Sequence, residues 1–129
     1  MMRKQFFVSR DINQNHNMGK SSDINFKVKL DENQVPEKID WSASDVGEES
    51  SCKAMLVSLW DEKENNTLRI DLWTKEMTVD DMKKFFHQSI MTMADTFERA
   101  TNENDMAKEM KEFGTAFAEK MGLVGPVYD

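Results

Sequence analysis

Two histidines, one cysteine and a scatter of carboxylates are among the side chains in this sequence that could act as bases, nucleophiles or metal ligands. A zinc site needs several His or Cys at ligand spacing. His16 sits in a polar stretch and His87 beside Phe85-Phe86, and neither has a second His or a Cys close by. A general base also needs an orienting partner, and the residues around His87 reveal none, so His87 reads as a surface or half-buried structural residue. The carboxylates of Asp61, Glu62, Glu64, Asp80 and Asp81 do not follow the calcium-loop pattern, which sets a Gly at its sixth position and a Glu at its twelfth. They read as a solvated acidic surface. Cys52 shares a stripe with Met55, Leu56, Leu59 and Trp60, which suits a small buried hydrophobe better than a nucleophile. Gly114, Gly122 and Gly125 make no phosphate-cradling loop. No catalytic, cofactor-binding or metal-binding set emerges.

The residue types left for function are those of binding. Trp60, Arg69, Asp71 and Trp73 stand in or beside a strand-like stretch, and strict alternation over Thr67–Trp73 turns Arg69, Asp71 and Trp73 away from Leu68, Ile70 and Leu72. Trp and Arg are enriched at binding hot spots, which makes these four the candidate protein-interaction residues. The competing reading has a helix cover that face and bury Trp73. The 11 methionines lie mostly on helical stripes and read first as core filler, with Met77, Met91 and Met121 near stripe edges that could line a groove.

Elements must position these groups, and composition bounds them. A chain of 129 residues with 39% hydrophobic and 32% charged residues suits one soluble domain. Its net charge is −7; residues 1–17 hold Arg3, Lys4 and Arg10 against Asp11, leaving 14 basic and 23 acidic groups, or −9, for the remainder. With no basic run longer than Lys83-Lys84, neither a phosphate backbone nor an anionic membrane surface is a suitable partner. A lone cysteine argues for a reducing compartment. The N-terminal apolar run Phe6-Phe7-Val8 is too short for a signal peptide, and no stretch has the length of a membrane span.

Residues 1–22 read as a flexible polar leader, 23–123 as a single domain and 124–129 as a short tail. Met18-Gly19 precedes the first patterned segment and is a candidate natural start; from there the sequence only loosely suits N-myristoylation, since Asp23 stands where Ser or Thr is expected. Alternation predicts strands over 24–30, 38–42 and 67–73, with Pro36 placed where a missing N–H does little harm. The stripe through Cys52 and Trp60 predicts a helix over 48–60, against a rival reading of Ala54–Trp60 as a strand hairpinned through Asp61–Asn66 to the next. Helices are expected over 79–100, opened by a Thr78/Asp81 cap, and over 105–121, closed by Gly122. The fold class is therefore α+β, a small, mainly antiparallel sheet packed against two or three helices.

Several stretches carry a resemblance. Ser58-Leu59-Trp60-Asp61, the run Asn65 to Lys75 around Thr-Leu-Arg-Ile-Asp-Leu-Trp-Thr, Phe85-Phe86-His87-Gln88, and Thr92 to Ala100 resemble the gliding motility protein GldC family of the Bacteroidetes, as does Ile24 to Trp41 with Val35-Pro36-Glu37-Lys38-Ile39. The similarity spans about residues 20 to 123. It implies a small accessory protein of the gliding apparatus, beside a larger envelope-spanning machine, with no catalytic or cofactor residues to carry over. The expected partners are proteins of that machinery, and the expected place is the cytoplasm, peripheral to the inner membrane through a partner. Two other classes stay open: a small enzyme with a site built from His87 and nearby Asp or Glu, and a structural homo-oligomer that uses Trp73 and the Met-lined edges.

Overall fold

The computed structural model describes residues 20–45 and 47–123. The expected leader lies, up to residue 19 and including His16 and Met18, outside the described residues, as does the tail 124–129. The order is β1 (Ile24–Leu30), β2 (Pro36–Ala43), β3 (Glu48–Cys52), β4 (Ala54–Trp60), β5 (Thr67–Trp73), α1 (Val79–Thr101) and α2 (Asn104–Lys120). The fold is α+β, with two antiparallel sheets followed by two helices. The chain divides at Met77/Thr78 into a strand unit and a helical unit.

In the strand unit, β1, β2 and β3 form a meander. Alternation on β1 comes out as register: Phe26 faces Trp41, Val28 faces Ile39, and Ile39 in turn faces Cys52. Ile39 is fully buried and Ala43 nearly so, whereas Ile24 and Phe26 remain exposed. Asp31 shapes the β1–β2 turn: its Oδ1 accepts the N–H groups of Asn33 (2.7 Å) and Val35 (3.0 Å), and Gln34 takes a left-handed φ of 64°. Its Oδ2 lies 2.5 Å from Lys75 Nζ beyond β5. The Lys75 ammonium, first, and the turn N–H groups hold the Asp31 carboxyl below the usual carboxylate range; Asp31 in turn raises Lys75. Pro36 opens β2 beside a register shift at Lys29/Leu30, where its missing N–H removes no regular ladder bond.

The helix expected over 48–60 does not form; that segment is β3 and β4, with Lys53 between them. Met55, Val57 and Leu59 on alternate positions face Leu72, Ile70 and Leu68 of β5. The apolar residues of this stretch satisfy both periods, so pairing with distant β2 and β5 decides between them. The rival hairpin reading of Ala54–Trp60 is the one observed. Cys52 accordingly sits on a strand, half-buried, where desolvation pushes its thiol up and keeps it protonated.

In the helical unit, α1 begins with the expected cap: Thr78 Oγ1 accepts the Asp81 N–H (3.0 Å), and Asp81 Oδ2 accepts the Thr78 N–H (3.2 Å). Asn102, at a left-handed φ of 62°, ends it by donating to the Glu98 carbonyl (2.8 Å). After α2, Gly122 at φ 72° turns the chain so that Leu123 N–H reaches the Ala118 carbonyl at 2.7 Å. The seam between the helices is built from small residues, Ala94, Ala107, Gly114 and Ala118, all buried. A Cβ added at Gly114 would overlap Met91 Sδ, so the Met91 side chain would have to move to admit one. Lys111 crosses the seam to Asp95 (3.2 Å) and Glu98 (3.4 Å), and Asp95, first, raises its pKa.

Two expectations about burial fail. Leu68 and Ile70, expected inside, are 50% and 46% exposed. Of the helical-stripe methionines read first as core filler, Met93 and Met106 are exposed, as are Val79, Phe86 and Phe113 beside them, while Ile90, Phe97, Met110 and Phe117 are half-buried. The fully buried positions at the helix–helix seam are small, Ile90 and Met91 of α1 pack there against Gly114, and the exposed bulky residues fall on the flanks of the helices.

Candidate functional site

The β4–β5 hairpin carries all four candidate residues. Its turn is organised by Asp61, whose Oδ2 accepts the N–H groups of Glu64 (2.6 Å) and Lys63 (3.1 Å). Asp61 N–H donates to the Asn66 carbonyl at 2.8 Å, and Asn65 takes the left-handed φ of 53° that Asn tolerates. Residues directly opposite in an antiparallel pair share a face. Trp60 lies opposite Thr67, Ser58 opposite Arg69, Leu56 opposite Asp71 and Ala54 opposite Trp73, so Trp60, Arg69, Asp71 and Trp73 share one face. Sequence alternation placed the three on β5; the register adds Trp60.

Charge lies at the middle of this face and aromatic surface at its ends. Arg69 Nη2 donates to Asp71 Oδ1 at 2.9 Å, Nε lies 3.4 Å from Oδ2, and Nη1 donates to Ser58 Oγ at 2.9 Å. These contacts hold the guanidinium across the two strands. Trp60 is 68% and Trp73 53% exposed, whereas Trp41 on β2 is half-buried. Trp73 lies six residue steps along β5 from Thr67, so the two exposed indoles lie roughly 20 Å apart at a strand rise of about 3.3 Å per residue. The face presents two exposed indoles and a fixed ion pair, and Trp and Arg are residue types enriched at binding hot spots.

His87 lies half-buried on α1, and desolvation lowers its pKa below the ordinary imidazole value. Depressions on the strand unit, one lined by Lys27, Asp40, Trp41 and Ser42 and another by Lys29, Cys52, Lys53 and Thr74, carry no histidine. Among the described residues no group of three or more His, Cys, Asp or Glu could hold a metal ion. No described helix is long and apolar enough to cross a membrane. Sequence reasoning did not single out the exposed helical flank of Val79, Phe86, Met93, Met106 and Phe113 as surface; the signal available was the run of small residues Ala94, Ala107, Gly114 and Ala118, which marks where the helices meet.

The β4–β5 hairpin and both helices fall within residues 36–123, the stretch matched by the model of the family described as gliding motility-associated protein GldC-like. The chain belongs to the GldC-like family. Among curated proteins and among solved structures nothing matches it. Membership of this family associates the chain with gliding motility. It also agrees with the resemblance carried by the Thr67–Trp73 stretch, which is β5.

Proposed function

We propose that this GldC-like chain is a non-enzymatic accessory protein of the gliding apparatus that works by binding a protein component of it through the Trp60, Arg69, Asp71 and Trp73 face. The observation that carries the reading is the exposure of Trp60 (68%) and Trp73 (53%) on the face that also fixes the Arg69–Asp71 pair. Leaving two indoles in water is unfavourable, and burying them against a partner recovers about 25 cal/mol for each Å² of apolar surface removed from solvent. The acidic balance of −7 favours a protein partner over nucleic acid. The cytoplasm, with attachment to the inner membrane through that partner, is the place that suits a lone free cysteine.

The test is affinity purification of the tagged chain from a gliding bacterium, beside the Trp73→Ala, Arg69→Ala double variant at equal abundance. Recovery of an envelope motility component, identified by mass spectrometry and absent from the variant eluate, is the expected outcome. Equal recovery with both proteins would remove this face from the account.

A further inference from the structure

Strand β5 reads Leu68-Arg69-Ile70-Asp71-Leu72, which is palindromic in character about Ile70: apolar, basic, apolar, acidic, apolar. Among the described residues it pairs with β4 alone, in a sheet of two strands. Two strands alone are marginal in water, and three or more are usually needed for a stable sheet. Among the described residues no strand pairs with its other edge, and Leu68, Ile70 and Trp73 on its two faces are exposed.

We infer that a second copy of this chain pairs with β5 through its own β5, antiparallel and centred on Ile70, giving a four-stranded sheet across a two-fold axis. The occupant is set by charge complementarity. Centring on Ile70 puts Arg69 opposite Asp71 of the second copy, and Asp71 opposite its Arg69. Arg69 already contacts Asp71 of its own strand at 2.9 Å, so the four charges alternate in sign around a rectangle, with like charges only on its diagonals. A shift of two residues in one direction puts Arg69 opposite Arg69, and in the other Asp71 opposite Asp71. Directly opposed like charges are destabilising in a sheet. A shift of one residue sets the apolar face of one copy against the polar face of the other. The same two charges that keep this edge from pairing promiscuously therefore select one register with itself.

The pairing also gives the exposed side chains of β5 lateral neighbours across the new seam. Leu68 would lie opposite Leu72 of the second copy and Ile70 opposite Ile70, extending the apolar face begun by Met55, Val57 and Leu59. On the other face Trp73 of the second copy would come opposite Thr67, which itself pairs with Trp60. At roughly 4.8 Å between strands, those two indoles would stand about 10 Å apart, half their separation within one chain. The inference goes beyond the proposed binding role, because it needs only the purified chain.

The test is the mass of the purified full chain by sedimentation velocity, with folding checked by circular dichroism. Wild type is expected at twice the 15.0 kDa chain mass. Arg69→Asp and Asp71→Arg, each alone, are expected to weaken self-association by about tenfold or more, because each sets like charges opposite one another at two places. An equimolar mixture of the two variants should regain the dimer, since one copy then carries two acids opposite two bases; loss of the intrachain Arg69–Asp71 pair could not be repaired by mixing. A wild-type monomer throughout, or a mixture no more associated than its components, would overturn the inference. Should either variant fail to fold, amide exchange on the wild type decides: protection of the β5 amides must rise with protein concentration, and protection independent of concentration overturns the pairing.

Discussion

Replacing Ile39 by Ala should cost the strand unit far more than replacing Ile70 by Ala, although both are isoleucines at the centre of β-strands. Ile39 is 0% exposed and sits between Val28 on β1 and Cys52 on β3. Truncating it removes three buried carbons and leaves a cavity that the flanking strands cannot close, a change worth 2–5 kcal/mol and here taken as about 3 kcal/mol. At roughly 4–8 °C per kcal/mol for a unit of this size, Tm falls by about 15 °C. Ile70 is 46% exposed, so the same truncation in dilute protein should cost less than about 1 kcal/mol. The three tryptophans, at 41, 60 and 73, all lie in the strand unit, so indole fluorescence during urea unfolding reports on that unit alone. Losses of similar size at the two positions, or a loss under about 1 kcal/mol at Ile39, would refute the claim that the core of this unit centres on β2.

Other outcomes follow from single contacts. Asp31 has a pKa held below its ordinary 3.8 by Lys75 and the turn N–H groups, so its contribution is fully present above 3.8 and is lost as pH falls through the lower, folded value; Asp31→Asn should flatten the acid limb of the urea midpoint below about pH 4 and leave the slope near neutrality unchanged. Thr78→Ala removes the reciprocal cap of α1 and should cost about 1 kcal/mol in thermal unfolding followed by circular dichroism at 222 nm, a signal dominated by α1 and α2. Gly114→Val forces a branched side chain against Met91 and Ile90 and should destabilise the helical hairpin by about 1–3 kcal/mol in the same assay.

Where a pattern was satisfied locally, the sequence was readable. Strict alternation over Ile24–Leu30 and Thr67–Trp73 matched β1 and β5 at both ends, and Thr78 with Asp81 marked the start of α1 because both halves of the cap lie within four residues. The segment 48–60 was misread because Cys52, Met55, Leu56, Leu59 and Trp60 fit a helical stripe, while Met55, Val57 and Leu59 fit a strand equally well; the choice rests on register with Leu72, Ile70 and Leu68, which no local window contains. Burial was the least legible property. Apolar residues at helical spacing mark a face without saying what lies against it, and Val79 and Phe113 proved 73% and 61% exposed. The candidate residues on β5 were found by alternation alone. That Trp60 joins their face follows only from pairing across the Asp61–Asn66 turn.

The most direct test of the account is surface gliding of cells whose own copy has been replaced by the Trp73→Ala, Arg69→Ala chain, with protein abundance matched to wild type. Both side chains are exposed, so the fold should survive their truncation. The account predicts impaired gliding, comparable to cells lacking the gene, with the variant present and folded. Gliding at the wild-type rate would contradict the claim that this face carries the function.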